Sequence, residues 1–324
     1  MVALVVGVAV IVAVGAVTAY AALNDDTTPP VTTSDAVSTC YNQAVVHLTA
    51  GDASGVAYIY SRVDREVIRL TRFNDTNPAQ AGVDVTVPGP AAGSATHTFS
   101  FWAQDAAGNV EALHTVTITI VHDTTAPTTS ASGVSGGAWY NHALTVSLAA
   151  GDEADGSGVS TITSTLDGGA PVVVNATTAS VDIAVDVVAH ANDGAHTLTY
   201  QAADVAGNVE SLQSLTVNVD TVRPAPQAPY AASAARGRTA TLKYKVVDAA
   251  PNAGTATAVI KVKNSAGKVV KTLNVGNVVA NVLLPKKFTV PRTWKAGTYR
   301  FFVYATDAAG NVQLKAASNK LVVK

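Results

Sequence analysis

The feature that most constrains this chain is a five-residue stretch met three times: Asp105-Ala-Ala-Gly-Asn109, Asp204-Val-Ala-Gly-Asn208 and Asp307-Ala-Ala-Gly-Asn311. The first two copies continue into Val110-Glu111 and Val209-Glu210, pass through a β-rich run and reach a Pro-bearing seam, Asp123-Thr-Thr-Ala-Pro127 and Asp220-Thr-Val-Arg-Pro224. A third seam, Asp26-Thr-Thr-Pro-Pro30, precedes the first copy, and successive seams start 97 residues apart. A fixed period with a recurring motif is the signature of a tandem array. The expected division is a segment 1–23 followed by modules at 24–122, 123–219 and 220–324.

Inside each module the apolar residues alternate with polar ones, which reads as strands with one buried face. In module one these are Val46, Leu48 and Ala50, then Val56 to Val63, Glu66 to Phe73, Val83 to Val87, Phe99 to Ala103 and Val116 to Ile120. Module two repeats them at Leu144 to Ala150, Val181 to Val187, Leu198 to Ala202 and Leu215 to Val219, with Asp167-Gly168-Gly169 as a hairpin turn supplying positive φ. Module three has strands at Leu242 to Val246, Ala258 to Lys263, Val269 to Leu273 and Phe301 to Ala305, with a hairpin at Asn264-Ser-Ala-Gly267. About seven short strands per module of about 100 residues predict an all-β fold of three tandem immunoglobulin-like β-sandwiches. Gly297-Thr298-Tyr299 stands where such sandwiches place a tyrosine corner.

Met1 to Leu23 carries no charge, and an apolar run of about 20 residues is the length of a membrane-spanning helix. Ala19-Tyr20-Ala21 also offers a cleavage site, so the segment reads as a signal peptide or a membrane anchor. Either places the modules outside the cytoplasm, in the extracellular space or at the cell surface. The single cysteine, Cys40, excludes an intramolecular disulfide framework. It stands where module two has Trp139, which points to a partly buried structural residue.

At this point the chain resembles the bacterial immunoglobulin-like repeats of secreted and surface proteins. The resemblance is carried by the Asp-Thr-Thr-x-Pro seams, Trp139-Tyr140-Asn141, Ser157-Gly158-Val159, Asp167-Gly168-Gly169 and the repeated Gly-Asn-Val-Glu, over residues 26–219. Module three keeps the closing motif, and its Lys268-Val-Val-Lys-Thr272 hairpin and Gly297-Thr-Tyr299 are similar to a second bacterial immunoglobulin-like class. The resemblance implies stalks, spacers and adhesion modules, and it names no ligand.

Two sets of residues are candidates for chemistry. In such a sandwich the loops after the second and sixth strands and the start of the chain lie at one end. This gathers Asp123, Asp152, Glu153, Asp155, Asp204, Asn208 and Glu210 in module two, and Asp26, Asp52, Asp105, Asn109 and Glu111 in module one. Converging oxygens of this kind are what a structural Ca²⁺ requires. Module three offers only Asp220, Asp248, Asp307 and Asn311. The competing reading, preferred for module two and more strongly for module three, is that these side chains build the turn and bind nothing.

The second set is basic. Residues 1–219 hold 4 Lys+Arg against 20 Asp+Glu, whereas residues 220–324 hold 17 against 3. Lys243, Lys245, Lys261, Lys263, Lys268, Lys271, Lys286 and Lys287, with Arg236, Arg238, Arg292 and Lys295, could dock on an anionic cell-envelope polymer or polysaccharide, and a solvated face is an equal alternative. A surface protein is a further possible partner, the N-terminal segment meets the membrane, and no motif for specific nucleic-acid binding accompanies the charge. The seven histidines form no metal pair, and neither His-Glu-x-x-His nor a phosphate-binding glycine loop occurs. The expectation is a monomeric, non-catalytic spacer or adhesion module, the alternatives being a docking module or an accessory part of a secreted hydrolase.

Overall fold

The structure is a computed structural model that describes residues 26–73 and 78–324. The hydrophobic segment expected at 1–23 lies outside these residues. Among the described residues no helix occurs, and none is long and apolar enough to cross a membrane.

Module one contributes β1 (Val31–Ser34), β2 (Thr39–Tyr41), β3 (Gln43–Gly51), β4 (Val56–Val63), β5 (Arg69–Arg72), β6 (Gln80–Pro88), β7 (Ser94–Asp105) and β8 (His114–Val121). Module two contributes β9 (Thr128–Ser132), β10 (Trp139–Tyr140), β11 (Leu144–Gly151), β12 (Val159–Leu166), β13 (Val172–Val174), β14 (Thr178–Ile183), β15 (Gly194–Asp204) and β16 (Gln213–Val219). Module three contributes β17 (Ala225–Gln227), β18 (Ala232–Ala234), β19 (Thr239–Val247), β20 (Thr255–Lys263), β21 (Val269–Val279), β22 (Leu284–Thr289), β23 (Gly297–Asp307) and β24 (Ala317–Val323).

The same two-sheet plan recurs three times. A three-stranded sheet (β1-β3-β6, β9-β11-β14, β17-β19-β22) faces a five-stranded one (β2-β8-β7-β4-β5, β10-β16-β15-β12-β13, β18-β24-β23-β20-β21). The opening strand of each module is split, its first part pairing antiparallel in the small sheet and its second part pairing parallel with the last strand of the large one. This order is that of an immunoglobulin-like sandwich. Three separate clusters of buried apolar side chains fill the three sandwiches. Small and β-branched residues dominate them, with Phe99, Ile118 and Ile120 in the first, Ile162 and Leu198 in the second, and Tyr244 and Phe301 in the third.

Backbone contacts divide the described chain into two units. One runs to Pro127 and includes Asp152–Gly158 and Asp204–Asn208, and the other comprises Thr128–Gly151, Val159–Ala203 and Val209–Lys324.

Local details follow the residues. Asp167 (φ 53°) and Gly168 (φ 68°) both take the left-handed conformation that closes the β12–β13 hairpin. Cys40 lies opposite Ile120 on the short parallel strand, half-buried against the core, and burial raises its thiol pKa. The Tyr299 hydroxyl donates to the Lys295 carbonyl at 3.1 Å, which is the tyrosine corner. Two strands are shorter than alternation suggested. β5 starts only at Arg69, and β14 ends at Ile183 because the Asp186 carboxylate accepts the amides of Val188 and Ala189 and folds that stretch into a turn.

Candidate functional site: three carboxylate clusters

The repeated motif is first a turn. In each copy the aspartate amide donates to the asparagine carbonyl at 3.1 Å, and the asparagine amide donates back to the aspartate Oδ1 at 2.8, 2.8 and 2.7 Å. Glycine supplies the positive φ, 97° at Gly108, 94° at Gly207 and 95° at Gly310. It is also a staple. The asparagine Nδ2 donates to the carbonyl of the seam aspartate in all three copies, Asn109 to Asp26 at 2.9 Å, Asn208 to Asp123 at 3.2 Å and Asn311 to Asp220 at 2.7 Å. The seam residue is therefore positioned by the last turn of the module that it opens.

Each staple brings three carboxylates together, one from the seam, one from the loop after the long strand of the small sheet, and one from the motif. They are Asp26, Asp52 and Asp105, then Asp123, Asp152 and Asp204, then Asp220, Asp248 and Asp307, and within each trio one oxygen per residue lies within 4.8 Å of the other two. Oxygen donors without His or Cys suit a hard cation, not a transition metal.

The clusters differ in how their oxygens are otherwise used. In the first, Asp26 Oδ1 accepts from the Thr28 hydroxyl and amide at 2.6 and 2.9 Å, which hold its pKa down at about 2. Asp52 Oδ1 likewise accepts from the amide and hydroxyl of Ser54, both at 2.7 Å. In the second, Asp123 Oδ2 accepts the Ser157 amide at 2.6 Å and Asp152 Oδ2 the Gly158 amide at 2.8 Å. Burial works to raise the Asp123 pKa, but the hydrogen bonds of Ser157 and Thr125 outweigh it and the net shift is downward. Gly156 lets this loop close, since a Cβ there would meet Asp152 Oδ2 at 2.7 Å.

The third cluster has few donors and deep burial. Asp220, Asp248 and Asp307 are 1%, 3% and 6% exposed. Val222 donates to Asp220 Oδ1 at 3.0 Å and Asn311 to Asp307 Oδ1, but both oxygens of Asp248 and Oδ2 of Asp307 are buried without a partner. Burial first, then the neighbouring Asp248 and Asp307 charges, pushes Asp220 up to about 7. Burial and Asp307 push Asp248 up to about 6.

Several residues expected beside these carboxylates are used elsewhere. Glu111 Oε1 accepts the Ala103 amide at 2.8 Å and its Oε2 the Thr32 amide at 2.9 Å. Glu210 accepts from the Ala202 amide (3.1 Å) and from the Thr129 amide and hydroxyl (2.9 and 2.6 Å). Both glutamates tie the large sheet to the first strand of the small one. Glu153 is exposed, and against the pull of its own amide its pKa is raised by its hydrogen bond to Asp152. Asp155 is exposed.

The basic candidates are spread over the surface of module three. Lys243, Lys245 and Lys287 lie on the small sheet, Lys243 with its Nζ 5.4 Å from the Tyr230 ring centroid. Lys261 and Lys263 lie on the large sheet over Tyr304 and Phe302, at 5.0 and 4.6 Å. On that sheet Lys263 faces Arg300, and Arg300 faces Lys320. Lys268 sits in the β20–β21 turn, Lys271 on the edge strand, and Lys286 donates to the Asn274 carbonyl.

Histidines serve the scaffold. His97 Nδ1 meets Asp64 Oδ2 at 2.8 Å, and at the equivalent place His196 Nδ1 meets Asp167 Oδ2 at 2.7 Å. His190 Nδ1 lies 2.6 Å from the Thr221 hydroxyl, but that hydroxyl donates to Asp193 Oδ1 at 2.8 Å. Its proton is committed to a carboxylate, the reverse of what activation by an imidazole base requires. Trp102 stacks on Tyr60 with centroids 5.1 Å apart, a cross-strand pair whose facing surfaces cover each other.

No protein-family model matches the sequence, and no curated protein matches it. Among solved structures the chain is similar to fibronectin(III)-like modules of CbhA from Clostridium thermocellum, at 14% identity over 59% of this chain and 94% of that one, with a TM-score of 0.38. It is similar to domains from titin at 11% identity, 91% and 99% coverage and a TM-score of 0.43. A tetra-tandem repeat from the extending region of a large adhesion protein matches at 20% identity, 90% and 74% coverage and a TM-score of 0.31. The fold assignment rests on the strand order and not on these likenesses.

Proposed function

We propose that the chain acts without catalysis, as an exported spacer or adhesion module built from three sandwiches at 24–122, 123–219 and 220–324. The observation that carries this reading is the staple from Asn109, Asn208 and Asn311 to the seam carbonyls. The same bond is made three times, at the place where a tandem array needs its connections fixed. Segment 1–23 supplies the signal peptide or membrane anchor, and the modules lie at the cell surface or in the extracellular space as a monomer.

A second reading is favoured by one specific observation. Cations stand on both sheets of module three while its acids are withdrawn into one buried point. Docking of this module to an anionic cell-envelope polymer or polysaccharide follows from that charge.

Pulling the full chain from its two ends tests the spacer. Three separate unfolding events are expected, each releasing on the order of 300 Å, since about 97 residues extend at ~3.3–3.6 Å each. A single event for the whole chain, or turnover of a polysaccharide by the purified chain, would sink this reading.

A further inference from the structure

We propose that Asp220, Asp248 and Asp307 form a binding site for a hard divalent cation of calcium's size. Sequence alone ranks this cluster last, because module three is poor in acids. The structure reverses that ranking on two independent grounds.

The first is where the acids go. Asp220, Asp248 and Asp307 are the whole acidic complement of residues 220–324. They come from positions 28 and 59 residues apart, yet all three reach one point. The same stretch carries 17 Lys+Arg, and among the described residues none forms an ion pair with any of the three. A surface rich in lysine has supplied no ammonium to its only buried carboxylates.

The second is which atoms are left over. The main chain around Asp248 is fully engaged, its amide donating to Asn281 Oδ1 at 3.1 Å and its carbonyl accepting from Asn281 and Asn252 at 2.7 and 3.1 Å. Asp220 has its carbonyl held by Asn311 and its amide by the Tyr140 carbonyl at 2.9 Å. Asp307 has Oδ1 on the Asn311 amide. Three carboxylate oxygens remain buried with no hydrogen bond, on side chains 3% and 6% exposed. Buried polar atoms of this kind are rare, and each calls for a partner.

A proton can partly fill that role. Burial and the neighbouring carboxylates raise the pKa of Asp220 and Asp248. A cation fills it better, because it meets all three anions at once and needs acceptors only. Mg²⁺ gives up its water reluctantly and suits so enclosed a site poorly, whereas Ca²⁺ takes flexible, carboxylate-rich oxygen sets. The first two clusters differ in degree: each keeps one buried oxygen without a partner, Asp26 Oδ2 and Asp152 Oδ1, against three in the third, and Thr28, Ser54 and the amides of Ser157 and Gly158 occupy others of theirs.

The site does not depend on the chain being a spacer, and its test reads binding alone. The full chain, stripped with chelator, is titrated calorimetrically with CaCl₂ and, in parallel, with MgCl₂. At pH 6.5, in two buffers of different ionisation enthalpy, calcium uptake should release protons, and at pH 8.5 this release should vanish. Affinity for calcium should weaken by roughly tenfold or more from pH 8 to pH 6, as protons compete for the ligands. Asp248→Asn should abolish the proton-linked calcium event, while Asp26→Asn and Asp123→Asn should leave it intact. Absence of calcium uptake by the wild type, or uptake that persists undiminished in Asp248→Asn, would overturn the assignment. So would a stronger response to magnesium than to calcium. Because the absence of uptake by the wild type is decisive by itself, a failure of Asp248→Asn to fold would not shelter the proposal.

Discussion

At the scale of single residues, Asp248 and Asp220 give the chain a pH response opposite to that of ordinary salt-bridged carboxylates. An aspartate free in the unfolded chain titrates near 3.9, whereas the folded values are about 6 and about 7. Between about pH 4 and pH 7 the folded state therefore holds protons that the unfolded state has released. Where the folded state binds more protons, stability falls as pH rises. Without a cation the cost by pH 8 is on the order of several kcal/mol, because each pH unit between the unfolded and folded values is worth about 1.4 kcal/mol. Asp26 and Asp123, whose pKa values are lowered, have delivered their full stabilisation above pH 4 and do not enter this window. His196 does enter it. Burial opposes its charge, but the Asp167 carboxylate and the Asn192 carbonyl raise its pKa, so its contribution is complete below about 6.5 and is lost as pH rises through the folded value. The midpoint of thermal unfolding, measured by calorimetry in chelator, should be lower at pH 8 than at pH 5.5. Asp248→Asn should remove most of that slope, whereas His196→Gln should leave the greater part. A wild-type midpoint that rises from pH 5.5 to pH 8 would refute the account.

At the scale of elements, the two glutamates after the motif join the two sheets of their sandwich. Glu210 is 9% exposed and spends its carboxylate on Thr129 of β9 and the Ala202 amide of β15. Glu210→Ala strips partners from buried amides, and a buried group left unpaired costs about 1–3 kcal/mol. Denaturant unfolding should show a loss of about 3 kcal/mol for the sandwich that contains it, and a loss below 1 kcal/mol would mean that the link is incidental. Much of the scaffold is legible in the sequence, and this link is not. Alternation located the long strands because each has one face on a core. Sandwich topology places the motif loop, and with it Glu111 and Glu210, at the same end as the aspartates, but it does not say which way each side chain turns. Val110 and Val209 bridge back to Gln104 and Ala203, which turns the following glutamate toward the small sheet. The run Val181 to Val187 alternates to its end, but Asp186 captures two amides and stops the strand. The rank of the third aspartate cluster was invisible for a related reason. Counting acids measures local charge, whereas the need for a cation depends on burial and on which donors the fold supplies.

At the scale of the whole chain, net charge conceals the behaviour that its distribution dictates. The formal charge is −2 and the sequence pI about 6.4, so a uniform protein of this composition would pass a cation-exchange matrix at pH 8. Residues 220–324 hold 17 of the 21 Lys+Arg. The three acids among them are buried together, so none offsets the surface lysines locally. On the large sheet Lys261 and Lys263 lie over Tyr304 and Phe302, which fixes their stems, and Arg300 faces Lys263 and Lys320 across the strands. Cations aligned along three neighbouring strands contact a polyanion at several places at once, with a steep dependence on salt. The small sheet, with Lys243, Lys245 and Lys287, offers a thinner patch. The full chain should therefore be retained on an anionic matrix at pH 8 despite its pI, and elute with salt. Replacing Lys261, Lys263 and Arg300 with glutamine should lower the eluting salt concentration more than replacing Lys243, Lys245 and Lys287. Equal effects of the two triple variants would mean that retention follows charge number and that no face is specialised. A chain that flows through unretained would remove the case for docking through this module.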